Sequence, residues 1–258
     1  MTLITETDAR GVARLRLNRP DKHNALDAAL IAALTEAAGR LGADPAVRVI
    51  VLEAEGKSFC AGGDLGWMRA QMGADPETRG AEARKLAMML QALDACPKPI
   101  IGRIHGNAFG GGVGMMSVCD VAVGALDARF GLTEVRLGLI PATIGPYVVA
   151  RMGADRARRV FFSGRLFDAE EAVRLGLLAR AVPAGALDAA VEEEIAPYLS
   201  AAPGAVAEGK ALVRALGPRI DEEVIDATVA ALTRRWESPE AEEGIGAFFD
   251  KRKPGWAG

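Results

Sequence analysis

The chain has 258 residues, 50% of them hydrophobic and 25% charged, with a formal net charge of −3. These proportions suit a soluble globular protein, and the slightly acidic balance without a long run of like charge argues against a nucleic-acid-binding face. No apolar stretch approaches the ~20 uncharged residues of a membrane span, and the acidic segment 1–8 lacks the basic leader of a targeting peptide.

In chain order, alternation over 12–18 predicts a strand with one wet face, followed by a turn at 18–22. Leu26, Leu30, Ile31, Leu34 and Leu41 recur at helical spacing and predict a helix over 25–41. The apolar run 47–52 predicts a buried strand. A helix over 77–93 is stopped by Cys96-Pro97-Lys98-Pro99, whose prolines remove backbone donors. Strands are expected at 99–104 and 121–123. Beyond Asp155 strand signals fade, and helices are expected over 156–162, 168–175, 187–199, 204–216, 221–236 and 241–252. The expectation is an α/β chain for two-thirds of its length and a helical last third. Trp236 and Phe248-Phe249, bulky and apolar on polar terminal helices, suit core packing or a subunit interface.

The richest stretch is Gly110-Gly111-Gly112-Val113-Gly114-Met115-Met116. A strand that feeds a glycine cluster and then an apolar helix presents bare backbone N–H groups to a negative charge, either a phosphate or an oxyanion formed during reaction. Nucleotide motifs fail. Gly56-Lys57-Ser58 lacks the earlier glycine of a P-loop, where Val51 stands, and Ser117 occupies the third glycine place of a dinucleotide fingerprint. His23 and His105 share no zinc spacing with Cys60, Cys96 and Cys119, so no metal is expected; the cysteines read as buried thiols of a reducing cytoplasm. No Gly-x-Ser-x-Gly elbow supports a serine nucleophile. What survives is a pair of glycine turns, 58–65 and 110–112, and one acid, Glu134.

These residues are where the chain resembles the enoyl-CoA hydratase/isomerase, or crotonase, superfamily. The matching stretches are Asn18-Arg19-Pro20 with Asn24-Ala25-Leu26, Phe59-Cys60-Ala61-Gly62-Gly63-Asp64-Leu65, and His105-Gly106-Asn107-Ala108-Phe109-Gly110-Gly111-Gly112. Cys119-Asp120, Phe130-Gly131-x-x-Glu134-x-x-x-Gly138-x-Ile140-Pro141 and the segment 243–253 follow in the same order. The resemblance implies a spiral of ββα units over 1–198 and a helical region over 199–258 that builds homotrimers or pairs of trimers. It implies an acyl-CoA thioester as ligand and no cofactor beyond the CoA that the substrate carries. By position, the N–H groups of Gly63 and Gly111 form an oxyanion hole and Glu134 is the proton shuttle. Lys22, Ala25, Leu26, Ala61, Gly62, Asp64 and Leu65 match the stretches that line CoA or substrate. Phe248 and Lys251 match residues that reach CoA from a neighbouring subunit.

One departure stands out. Typical hydratases carry two glutamates, and the place of the first is held here by Gly114. A lone Glu134 still moves one proton, and burial in an apolar pocket raises a carboxyl pKa toward neutrality; its structural alternative is capping of a first helical turn. The resemblance is strongest to bacterial methylglutaconyl-CoA hydratase-like enzymes of leucine and acyclic-terpene breakdown. On that reading, Gly114 leaves room for a branched dicarboxylic acyl chain. The alternatives are a Δ3,Δ2-enoyl-CoA isomerase using one glutamate, and a non-catalytic acyl-CoA-binding subunit. Trp67, Met68, Met72, Met115, Ile144 and Tyr147 are the expected acyl-pocket residues.

Overall fold

The computed structural model describes residues 1–258. β1 (Leu3–Thr7) and β2 (Val12–Leu17) form an antiparallel hairpin, and α1 (Ala28–Ala43) starts where Asp27 accepts a hydrogen bond from the Leu30 N–H. A long strand, a short strand and a helix then repeat. The first unit is β3 (Val49–Ala54), β4 (Ser58–Cys60), α2 (Leu65–Met72) and α3 (Pro76–Asp94). The second is β5 (Ile100–Ile104), β6 (Asn107–Phe109) and α4 (Gly111–Ser117). The third is β7 (Val121–Ala125), β8 (Arg129–Gly131), a 3-10 helix Glu134–Leu137 and α5 (Gly145–Met152). After α6 (Ala154–Ala157), β9 (Leu166–Asp168), α7 (Ala169–Arg174) and β10 (Arg180–Val182), the chain is helical: α8 (Leu187–Ser200), α9 (Pro203–Leu216), α10 (Glu222–Trp236) and α11 (Pro239–Phe249).

The long strands and the short β10 join a six-stranded sheet, β1-β2-β3-β5-β7-β10, and the other short strands a four-stranded sheet, β4-β6-β8-β9. Each ββα unit adds one strand to each sheet, so the chain winds as a spiral. All six residues of β3 are buried. Ile50 and Leu52 enter the main core, while Val49 and Val51 meet Leu187, Val191 and Ile195 of α8 on the opposite face. A strand covered on both sides needs no polar alternation, which is why 47–52, broken only by Arg48, reads as a nearly continuous apolar run.

Several expectations are corrected. β1, β4, β6, β8, β9, β10, α2 and α5 are additional elements, and strands do continue beyond Asp155. The β4, β6, β8, β9 and β10 segments have only three residues each, too few to show a period. Gly145 and Pro146 disguise the start of α5; they occupy its first turn, where a missing N–H costs nothing. The helix expected over 156–162 shrinks to Ala154–Ala157 followed by turns. No helix is long and apolar enough to cross a membrane.

The last helices differ in what they touch. α9 buries no residue and exposes Leu212, Val213 and Leu216. α10 lies along α3, where Arg79 pairs with Glu237 and Arg84 with Asp226. α11 packs against the 3-10 helix: a Cβ on Gly244 would stand 2.5 Å from the Leu137 carbonyl carbon. Arg235 donates to the Gly138 carbonyl through Nε at 3.0 Å and a terminal nitrogen at 2.7 Å. Gly244→Ala is expected to lower the unfolding free energy by about 1–3 kcal/mol, read as a reduced urea midpoint. Gly246→Ala, whose added carbon meets nothing nearer than Arg252 Nη2 at 4.0 Å, is expected to leave the midpoint level or raise it.

Candidate active site

β4, β6 and β8 are parallel neighbours, paired Cys60 to Ala108 and Phe109 to Gly131. Their C-terminal ends therefore lie side by side, and the segments leaving those ends form the site. After β4, the Leu26 N–H donates to the Gly62 carbonyl at 2.7 Å and the Asp64 N–H to the Leu26 carbonyl at 2.9 Å. That parallel bridge turns the N–H of Gly63 to the opposite side, where it has no acceptor within the chain. Gly62 holds φ +93°, and a Cβ there would stand 3.2 Å from the Phe109 carbonyl oxygen. After β6, Gly110 holds φ +48° and donates to the Gly131 carbonyl at 3.0 Å. A side chain is excluded there too, because its Cβ would lie 2.9 Å from Glu134 Oε1. Gly111 then opens α4, and as a first-turn residue its N–H has no helical acceptor.

After β8 comes Glu134. Its carboxylate lies against the Gly110 turn, and Oε2 is buried without a hydrogen-bond partner. Burial pushes its pKa up to about 7, opposed only by a hydrogen bond from its own N–H. Glu134 is the first residue of the 3-10 helix and accepts from its own N–H, as first-turn capping expects, but capping does not account for the enclosed, unpartnered Oε2. Gly63, Gly111 and Glu134 all border one cavity of about 430 Å³ whose lining is mostly hydrophobic. Its only ionisable groups are Glu134 and Arg136.

Of the other residues singled out in the sequence, Leu26, Ala61, Gly62, Leu65 and Phe248 line this cavity. Phe248 does so within its own chain. Lys22 ends an exposed 3-10 turn and Lys251 is exposed past α11; neither borders the cavity. Ala25 is buried behind the wall, its carbonyl accepting from Arg19. Asp64 caps α2, accepting from the N–H groups of Gly66 at 2.8 Å and Trp67 at 3.1 Å, and pairs with Arg19 at 3.0 Å. It positions the first glycine turn and does not face the cavity.

The expectation that Gly114 leaves room for substrate is overturned. A Cβ there would stand 2.6 Å from Ile144 Cγ2 and 3.5 Å from Leu90 Cδ1, so Ile144 already fills the space. Trp67, Met68 and Ile144 border the cavity as expected. Met115 and Tyr147 belong to the core, and Met72 packs beside Leu139 and Ile245.

Asn24 is a positioning residue that the sequence offered only as part of a motif. Fully buried at φ +54°, it donates to the carbonyls of Glu55 at 2.7 Å and Ser58 at 2.8 Å, and accepts from the Arg19 N–H at 2.8 Å. Its signal was available: asparagine tolerates the left-handed region and supplies both donors and an acceptor. Thr143, Leu232 and Trp236 also border the cavity; of these the sequence singles out only Trp236, for core packing or a subunit interface.

The folded pKa of Glu134 lies above its unfolded value of 4.5, so the folded chain retains the extra proton between 4.5 and about 7. Stability therefore falls as pH rises through that window, and the deficit is complete above it. Glu134→Gln is expected to stabilise the protein by ~2–3 kcal/mol above pH 8, seen as a Tm raised by several degrees. Near pH 4.5 the two proteins should melt together.

Comparison with known proteins agrees with this geometry. Residues 7–258 match the enoyl-CoA hydratase/isomerase family. A crotonyl-CoA hydratase of Syntrophomonas wolfei is 30% identical over 254 residues, 97% of this chain and 96% of its own. The crystal structure of an enoyl-CoA hydratase from Shewanella pealeana superimposes with a TM-score of 0.81 at 38% identity, over 99% of this chain and 96% of that one. Pseudomonas aeruginosa AtuE gives a TM-score of 0.82 at 36% identity over the whole of both chains. With a spiral of ββα units, two glycine turns and one acid in place, the chain belongs to the enoyl-CoA hydratase/isomerase family and has the crotonase fold.

Proposed function

We propose that the protein adds water across the 2,3 double bond of an enoyl-CoA thioester. The observation that carries this reading is a single carboxyl group, half-buried Glu134 with its Oε2 enclosed, in one cavity with two unpartnered N–H donors, those of Gly63 and Gly111. The donors hold the thioester oxygen as enolate charge develops, an interaction worth roughly 3–4 kcal/mol per donor where such groups have been removed. Glu134, ionised, takes a proton from water as the water oxygen bonds to C3. The π electrons move toward the thioester as the enolate forms, and Glu134 returns the same proton to C2. One carboxyl group on one face implies syn addition.

CoA is carried in by the substrate, so no separate cofactor is required. On this reading Lys22 and Lys251, both exposed, meet the CoA end of the substrate. The uncovered apolar face of α9, with Leu212, Val213 and Leu216, supports assembly into a trimer or a pair of trimers.

Incubation with a panel of 2-enoyl- and 3-enoyl-CoA thioesters, read by mass spectrometry, tests the reaction. Products heavier by one water carry the hydratase reading. Unchanged mass with a moved double bond would replace it with isomerisation, and binding without change would make the chain a carrier of acyl-CoA. Because the base form of Glu134 is required, kcat/KM is expected to rise with pH through about 7 and then level. Glu134→Gln should lower turnover by about a hundredfold or more, abolish that pH limb, and leave CoA affinity intact.

A branched dicarboxylic substrate of the methylglutaconyl type has one observation in its favour. Arg136 borders the apolar cavity and forms no ion pair with a carboxylate of this chain. Its Cγ and Nε rest against the Gly164 turn, 3.0 and 3.2 Å from where a Cβ would stand. On this reading, Arg136→Met raises KM for a dicarboxylic enoyl-CoA by about tenfold or more and leaves crotonyl-CoA unaffected. An equal rise for both would assign Arg136 to the CoA phosphates.

A further inference from the structure

A water that attacks C3 needs two anchors. One hydrogen bond to Glu134 fixes its distance, but rotation about that bond leaves the attacking lone pair unaimed. Gly114 supplies no second acid. Of the two indoles on the cavity, that of Trp67 donates to Glu82 at 3.3 Å, and neither it nor that of Trp236 accepts a hydrogen from water, because an indole N–H only donates. Thr133 directly precedes the acid and directs its methyl group toward Gly131, 3.4 Å from where a Cβ would stand.

Thr143 remains. It is 5% exposed, borders the cavity and makes no side-chain hydrogen bond within the chain, yet its hydroxyl is not among the fully enclosed unpartnered atoms. The hydroxyl therefore keeps some accessible surface, and the space this residue borders is the cavity. A buried hydroxyl left open in this way is costly unless something in the cavity bonds to it. Its neighbour Ile144 occupies the volume over Gly114, with Cγ2 2.6 Å from the Cβ position there. Ile144 thus fills the volume that a side chain at Gly114 would have taken, and Thr143, the residue before it, brings a hydroxyl to the cavity wall.

Building on the hydratase reading above, we propose that Thr143 is the second anchor of the attacking water. Its Oγ accepts a hydrogen bond from the water hydrogen that stays in the product hydroxyl, while the other hydrogen passes to Glu134. The O–C3 bond forms, one O–H bond of water breaks, and that proton reaches C2 through Glu134. Atoms and charge balance with no further reactant.

Two reactions separate this role from a merely structural one. Hydration of crotonyl-CoA needs the aimed water. Exchange of the α-hydrogens of butyryl-CoA with D2O needs only Glu134 and the two N–H donors. Thr143→Val is expected to lower kcat for hydration by about ten- to a hundredfold, with KM and the exchange rate little changed. Thr143→Ser should restore hydration to within a few-fold, and Glu134→Gln should lose both reactions. Thr143→Ala, which adds no bulk, gives the same split if the valine variant does not fold. Unchanged hydration in the valine and alanine variants would overturn the proposal, as would equal loss of hydration and exchange. A wild-type protein that exchanges butyryl-CoA hydrogens but hydrates no 2-enoyl-CoA would instead refute the hydratase reading and the role of Thr143 with it.

Discussion

The active site depends on the parallel pairing of three very short strands. β4, β6 and β8 contribute three residues each, and their ends are held one strand spacing apart, about 4.8 Å. Two glycine turns and an acid leave those ends in succession. Side chains on the turns would break this arrangement, because the backbone of Gly62 runs against Phe109 and the backbone of Gly110 against the Glu134 carboxylate. The spiral repeats one unit three times, and each turn delivers a different chemical part to the same place. Pairing of the strands, not attraction between the parts, brings them together.

Keeping a carboxyl group in an apolar cavity opposes folding whenever the group is ionised. The surrounding structure offsets that cost without neutralising the charge. No cation is paired with Glu134; support reaches it through the backbone of its 3-10 helix. Arg235 binds the Gly138 carbonyl, and Gly244 lets α11 lie directly on Leu137. On the other side, Asn24 and the Arg19–Asp64 pair hold the first glycine turn from behind. The polar interactions lie outside the cavity, so they position its groups without lowering the basicity of the acid.

Long periodic elements were legible in the sequence: α1, α3, β3 and α8 to α11 lie close to where apolar spacing placed them. Short strands were not, since three residues carry no period and their identity comes from partners distant in the chain. The chemical parts were legible because the glycine clusters stand out in the sequence and the family resemblance assigned their N–H groups and Glu134 to roles. Their supports were harder to see. Asp64 reads as a ligand beside two glycines, yet it caps a helix. Gly114 reads as empty space, because a sequence does not show which neighbour leans over a missing side chain.

The contact between Gly114 and Ile144 also constrains how this site could change. An acid introduced at 114 alone would place its Cβ 2.6 Å from Ile144 Cγ2, with the strain of an overfilled core. Trimming Ile144 first would open a void beside Leu90, at a typical cost of about 2–5 kcal/mol for so large a deletion. Each single step is unfavourable while the pair together is compatible, the signature of strongly coupled positions. Packing therefore opposes a second acid at 114 unless both positions change together.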